Sequence, residues 1–394
     1  MLYQIEGSQA IAMGVALCRP QVVCAYPITP QTHIVEGLGN MVHEGKLKDC
    51  KFINVESEMA ALSVAVGSEA AGVRSYTATS SQGLLFMTEV VYNASGLDLP
   101  IVMTLGNRAI GSPINIWNDH TDAMSVRDAG WIMLFAETNQ EAVDLHIQAF
   151  KIAEQLKCPV MVCVDGFILT HAYDRVDIPS QEEVDDFLPK YVPSVELSVE
   201  NPLAIGTMVP PEYFMEVRYL EHEKQIRSAK VIQEIGDEFH KKFGRDSGGL
   251  VHSYNLENAD VAIVAMGSMT GTMKDTIDEL NAENSGSKYG LLSVVSFRPF
   301  PENEIRVSLK NAKKIIVVEK AFALGRGGIL SEEIENALGR TDVISVIAGL
   351  GGRAITKEML RECFSAKSHE KVNFLGMNRE IVEKELKNSV GSRK

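Results

Sequence analysis

The segment LPIVMTLGNRAIGSPINIWNDHTDAMSVRDAGW, residues 99–131, decides how the rest of the chain is read. Its opening, Leu99 to Leu105, is apolar except for Thr104 and carries β-branched residues, the composition of a strand buried on both faces. From Gly106 onward the chain turns polar and holds both tryptophans, Trp117 and Trp131, together with Arg108, Arg127, His120 and several aspartates. A long polar loop at the carboxyl end of a buried parallel strand is where open α/β sheets bind ligands. Arg108, just past the strand, is therefore placed to hold a small anion.

Working outward, the same alternation recurs on both sides. Further strands are expected at 21–26, 51–55, 75–79, 132–136 and 160–164, with helices at 7–18, 31–42, 58–71, 82–96 and 140–154 between them. Strict alternation with unbroken apolar strands predicts a mostly parallel sheet covered on both faces. From about 172 to 211 proline and acidic residues become frequent and periodicity fades. This stretch reads as an extended arm, with a plain linker as the alternative, and a long charged helix follows over 212–243. A second alternating unit has strands at 261–266, 289–295, 314–319 and 342–347, with glycine-rich turns GSMTG, GRGG and GLGG at their ends. The expectation is a two-domain α/β protein. Residues 1–245 form the first domain with arm and long helix, and 246–394 a smaller second domain with terminal helices.

Composition bounds the partners. The chain has 394 residues, enough for two cores, and a net charge of -14, which disfavours nucleic acid and anionic membrane. An anionic substrate then needs a local basic spot, which raises the interest of Arg108. The six cysteines contain no C-x-x-C pair, so the chain lacks the cysteine spacing needed for an iron–sulfur cluster or structural zinc, and no metal ligand is singled out on it. Reduced, cytoplasmic conditions fit the thiols. The first twenty residues lack the basic start of a signal peptide, and no apolar run has the length of a membrane span.

Four motifs could carry chemistry. In YPITP, residues 26–30, two prolines hold the loop extended, so that Thr29 presents a hydroxyl from a rigid turn; a tight turn without ligand is the alternative. In NVESEMAA, residues 54–61, Glu58 precedes an almost uncharged run. A carboxylate at the mouth of a buried helix is either a dipole-favoured terminal residue or a proton-exchanging group. TATSSQG, residues 77–83, reads first as helix capping and otherwise as a ligand turn. Arg108 offers a fork that matches a carboxylate, unless Asp119 or Asp122 pairs with it. Arg127 fits the structural role better, and His120 reads first as a hydrogen-bonding bystander. Pattern alone leaves Asn115, Asn118 and His120 open as substrate contacts. No nucleophile elbow and no phosphate loop occurs. The GDG motif that holds magnesium and diphosphate in thiamine enzymes is also missing, so this chain alone would not hold such a diphosphate.

Taken together and in order, YPITP, VESEMAA, TATSSQG, GNRAIGSPINIWNDHTD, DGFILTH, FRPFP and GLGGR resemble the α subunits of the 2-oxoacid:ferredoxin oxidoreductase family, of the pyruvate type. The resemblance covers almost the whole chain. It implies a pyrimidine-binding-type thiamine domain followed by a transketolase C-terminal-type domain. The implied reaction is oxidative decarboxylation of pyruvate to acetyl-CoA and CO2, reversible, with ferredoxin as electron acceptor. Thiamine diphosphate would be shared with a β subunit that supplies the diphosphate and Mg2+ site. A ferredoxin-like δ subunit would carry the [4Fe-4S] clusters, and a γ subunit would complete the assembly. By the same resemblance Glu58 contacts the N1′ nitrogen of the aminopyrimidine, whereas Glu56 does not match the family position. Thr29 and Arg108 bind the pyruvate carboxylate and keto group, and Pro27 and Ile28 line the cofactor. The related oxalate enzyme has arginine where Thr29 stands, so threonine implies a monocarboxylate. Alternatives are a branched-chain or other 2-oxoacid oxidoreductase subunit, and an E1- or transketolase-like subunit that does not use ferredoxin.

Overall fold

The computed structural model describes residues 1–193, 196–283, 286–366 and 370–391. In chain order the first half contains β1 (Leu2–Glu6), α1 (Gly7–Leu17), β2 (Val22–Cys24), α2 (Thr32–His43), β3 (Lys51–Ile53), α3 (Glu58–Ala70) and β4 (Ser75–Thr79). It continues through α4 (Ser81–Phe86), α5 (Thr88–Gly96), β5 (Val102–Asn107), α6 (Thr121–Ser125), β6 (Ile132–Phe135), α7 (Asn139–Leu156) and β7 (Val160–Asp165). Six of these strands build a seven-stranded sheet with β12 (Ser296–Arg298), in the order β12-β6-β7-β5-β4-β2-β3. All its pairings are parallel except β12 on β6. The central strands β4 to β7 are buried at every residue, as helices on both faces require.

The order of this sheet matters for the site. After β2 the chain adds β3 on one side, then returns to place β4 on the other side of β2. A reversal of this kind opens a crevice at the carboxyl ends of the two flanking strands, the usual ligand position in an open α/β sheet. Gln31 bridges that crevice: its Nε2 donates to the Tyr26 carbonyl at 2.8 Å and to the Ala78 carbonyl at 3.4 Å.

The stretch from 172 to 211 holds two elements that periodicity did not show, β8 (Tyr173–Asp177) and α8 (Gln181–Phe187). Strand β8 pairs antiparallel with β1, and α8 opens on a capping box between Ser180 and Glu183. Phe187 is buried edge-on against Phe239, 5.4 Å between centroids, on the long helix α9 (Pro211–Phe243). That helix starts with proline in its first turn and stops at Gly244, whose φ of +67° is a left-handed cap that glycine adopts freely.

The second sheet has strands β9 (Val251–Tyr254), β10 (Val261–Ala265), β11 (Tyr289–Val294), β13 (Lys314–Glu319), β16 (Ile344–Ile347) and β17 (Val372–Phe374). Their order is β17-β16-β13-β10-β11-β9, parallel apart from β9. Helices α10 (Met269–Ala282), α11 (Glu302–Leu309), α12 (Ile329–Leu338) and α13 (Lys357–Ser365) cover it, α14 (Arg379–Gly391) ends the described chain, and β14 (Phe322–Ala323) with β15 (Gly327–Gly328) forms a small hairpin. The expected two-domain α/β architecture is borne out. The sheets share one apolar cluster, which includes Met133 and Phe135 of the first, Ala262, Val264 and Val317 of the second, and the fully buried Phe297. Burying a side chain of that size stabilises by about 1.5–3 kcal/mol. The two units therefore pack as one body rather than as beads on a linker.

Candidate active site

Thr29 and Arg108 meet at the switch-point crevice. The Thr29 loop leaves β2 and Arg108 follows β5, and Arg108 Nη1 donates to the Thr29 carbonyl oxygen at 2.9 Å. Nε donates to the Asn115 carbonyl at 3.2 Å, which fixes the plane of the fork. A guanidinium has five N–H donors, so three remain for a ligand. Neither Asp119 nor Asp122 takes the charge: Asp122 Oδ2 accepts from the Arg108 backbone amide at 2.9 Å instead. Among the described residues, no carboxylate forms an ion pair with Arg108, although its residue is only 6% exposed. Burial lowers its pKa from the ordinary value while the Asp122 charge opposes this. Pro27 and Thr29 are exposed on the loop and Ile28 is half-buried, so all three face accessible space.

Glu58 is the first residue of α3, after Ser57, whose hydroxyl accepts from the Ala60 amide at 3.2 Å and caps the helix. With the capping done by Ser57, the Glu58 carboxylate is spare. It is 9% exposed and accepts no hydrogen bond from any described residue. Glu56, two positions earlier, is exposed, so only Glu58 turns inward. Beside it, Gly83 leaves a cradle: a Cβ there would stand 2.5 Å from Thr79 Oγ1 and 2.8 Å from Glu58 Oε1.

The TATSSQG turn does not cap as expected. Ser80 is the N-cap of α4 but its hydroxyl makes no capping bond, and the buried hydroxyls of Thr77, Thr79 and Ser80 have no partner among the described residues. Thr32 is the first residue of α2, whose N-cap is Gln31. Buried polar atoms without partners are costly unless something else satisfies them. Asp122 links this turn to the arginine strand. Its Oδ2 accepts from the amides of Ser81, at 3.0 Å, and Arg108, and its Oδ1 from Asn107 Nδ2 at 2.9 Å. Full burial pushes its carboxyl up to about 7 against those donors. No direct bond joins Glu58 to Arg108; α4 and Asp122 hold them in one wall.

The rest of the loop is stitched to the second domain. Asn115 Nδ2 donates to the Gly351 carbonyl at 3.2 Å, the Gly351 amide to Asp119 Oδ2 at 3.0 Å, and the Gly352 amide to the Asn118 carbonyl at 2.7 Å. A Cβ on Gly352 would lie 2.3 Å from the Trp117 Cβ, so the close approach needs glycine. His120 donates from Nε2 to Asp165 Oδ1 at 2.7 Å, and Lys320 Nζ reaches Asp165 Oδ2 at 2.7 Å, all three nearly inaccessible. Burial pushes Asp165 up, but Lys320 and His120 outweigh it and hold the carboxyl well below the usual range. Sequence reasoning missed Lys320 and met Asp165 only as the first residue of DGFILTH. The only local signal was a lysine directly after an apolar strand. Arg127 donates to the Met124 carbonyl at 2.8 Å, in keeping with the structural role expected of it.

A donorless carboxylate, unsatisfied hydroxyls and a glycine cradle fit the pyrimidine side of a thiamine cofactor. Thiamine enzymes are the class to which the crevice points. Known proteins narrow the class. Residues 13–237 match the family described as pyruvate flavodoxin/ferredoxin oxidoreductase, thiamine diP-bdg, and residues 259–360 match pyruvate:ferredoxin oxidoreductase core domain II. The chain belongs to this family. Pyruvate synthase subunit PorA of Methanosarcina barkeri is 44% identical, covering 90% of each chain. PorA of Methanocaldococcus jannaschii is 47% identical over 89% of this chain and 91% of that one. The ketoisovalerate oxidoreductase subunit VorA of Pyrococcus horikoshii is 39% identical over 95% and 98%. In fold the chain is similar to a 2-oxoglutarate:ferredoxin oxidoreductase from Magnetococcus marinus, with a TM-score of 0.73 at 22% identity over 92% of this chain. It spans 64% of the length of that solved chain.

Proposed function

We propose that this chain is the α subunit of a thiamine diphosphate-dependent pyruvate synthase, which oxidatively decarboxylates pyruvate to acetyl-CoA and CO2 and passes electrons to ferredoxin, reversibly. The observation that carries the substrate class is the Arg108 fork: anchored on Thr29 and Asn115, free of any carboxylate within the described chain, and open to one from outside.

Thiamine diphosphate, when bound, supplies the electron sink for decarboxylation. Glu58 holds a proton at the pyrimidine N1′ atom, where a nearly buried carboxylate without a competing donor is most effective. Arg108 and Thr29 bind and orient the substrate carboxylate and keto group, and Pro27 and Ile28 shield the cofactor from water. The loop from Ala109 to His120, tied to the second domain, fixes the plane of the arginine fork. The diphosphate and Mg2+ belong on a β subunit, [4Fe-4S] clusters on a ferredoxin-like δ subunit, and a γ subunit joins them. Exposed Tyr213, Phe214, Met215, Tyr219 and Leu220 on the first turns of α9 support such an assembly, since a patch of this kind marks a protein interface. We also place the division between domains at 245/246, with β12 crossing back to the first sheet. Among the described residues no helix is long and apolar enough to cross a membrane.

A branched-chain 2-oxoacid is the second reading, favoured by the likeness to VorA. Purification of the complex with its subunits, iron analysis and a panel of 2-oxoacids tests both. Pyruvate-dependent ferredoxin reduction exceeding that with branched-chain substrates supports the proposal, and the reverse preference overturns it. Calorimetry on the isolated chain checks the split site: thiamine diphosphate should not bind tightly, and micromolar binding would contradict the division of labour.

A further inference from the structure

Behind the Thr29 loop, three metal-ligating side chains converge that the proposed reaction does not use. Glu6, His33 and His171 each offer a ligand atom, and these atoms all lie within 4.8 Å of one another. They come from three separate segments: the end of β1, the first turn of α2, and the loop after β7. His33 Nδ1 stands 2.6 Å from Glu6 Oε1, and the two imidazole rings face each other at 4.9 Å between centroids, tilted by 35°.

Thr170 Oγ1 lies 2.8 Å from His171 Nδ1, which occupies that nitrogen and leaves Nε2 free. An outer hydrogen bond that fixes ring and tautomer is the usual support of a metal-bound histidine. The His33 side chain is 43% exposed and that of Glu6 13%, so an ion can enter and water can complete its coordination. Two imidazoles and one carboxylate suit a borderline cation that accepts nitrogen and oxygen ligands, with zinc the best match for three protein ligands plus water.

We propose that Glu6, His33 and His171 form a zinc site whose fourth position is taken by water. The site ties β1, α2 and the 166–172 loop together. That tie lies next to the YPITP turn, because α2 begins two residues after Pro30 and Gly166 packs on the Pro30 ring: a Cβ on Gly166 would fall 2.4 Å from Pro30 Cγ. Zinc therefore stiffens the loop that carries Thr29.

The test uses the full chain, stripped with a chelator and titrated with Zn2+ in competition with a chromophoric chelator, then with Co2+ as a spectroscopic probe. One equivalent of zinc should bind, and Co2+ should give the intense visible absorption of a four-coordinate site. His33→Ala and His171→Ala should each weaken zinc by about a hundredfold or more, and Thr170→Val by about tenfold through loss of the outer bond. If a histidine variant does not fold, the zinc stoichiometry and cobalt spectrum of the unaltered chain decide alone. Failure to take up an equivalent of zinc, a six-coordinate cobalt spectrum, or equal affinity in the His171→Ala chain would overturn the proposal and leave a Glu6–His33 hydrogen bond beside a tilted ring.

Discussion

Arg108 and Thr29, 79 residues apart in sequence, are joined by a hydrogen bond of 2.9 Å from Nη1 to the threonine carbonyl. The bond fixes the arginine fork against the loop that leaves β2, while Asp122 grips the arginine by its backbone and leaves the charge unpaired. Lysine carries the charge without the fork. Arg108→Lys should therefore raise the KM for pyruvate and lower kcat/KM by about ten- to a hundredfold in the reconstituted complex. Steady-state kinetics at saturating cofactor check this, and unchanged constants would make Arg108 a structural residue.

The Asp165–Lys320 pair holds the two sheets together through groups that are 1% and 2% exposed. Removing one member of a buried pair strands the other charge. Lys320→Met should destabilise the chain by about 3–5 kcal/mol, read from chemical denaturation, and adding Asp165→Asn should recover part of the loss. A single variant as stable as the unaltered chain would show that His120 alone satisfies Asp165.

Glu69, on the same helix as Glu58, accepts from the Ser75 amide at 2.7 Å and from the Tyr191 hydroxyl at 2.9 Å, yet burial pushes its carboxyl up to about 8 from 4.5. Because the folded value lies above the unfolded one, the folded chain holds more protons between those limits, and stability falls as pH rises through them. The stability of the unaltered chain relative to Glu69→Gln should decline between about pH 5 and 8, by at most about 1.4 kcal/mol per pH unit. Melting curves of both chains across that range provide the check, and parallel pH dependences would remove Glu69 as the cause.

Local pattern was a good guide where one element explains itself. The strand expected at 75–79 is β4, Ser75–Thr79, and the charged helix expected at 212–243 is α9, Pro211–Phe243. The helix expected over 82–96 is instead two, because Met87 leaves the helical region with φ of -95° and ψ of 6°. Strands β1 and β8 escaped notice because neither is an apolar buried run and each is made by pairing with the other across the chain. Strand β12 did too: Phe297 and Arg298 were read only as the start of the FRPFP motif, and the tertiary fold alone brings Ser296 opposite Leu134 and Arg298 opposite Met133. The same limit applied within the crevice. Residue type singled out Glu58, Arg108 and Thr29, but not that Asp122 would hold backbone amides or that Lys320 would complete a buried charge cluster.

The central claim is that this chain supplies the proton-holding carboxylate of a site shared with another subunit. Its most direct test is pyruvate decarboxylation by a complex reconstituted with Glu58→Gln. Turnover should fall by about a hundred- to ten-thousandfold while the complex assembles and retains its thiamine diphosphate, the range expected for a positioned acid–base group. Undiminished turnover in an assembled, cofactor-loaded complex would contradict the account.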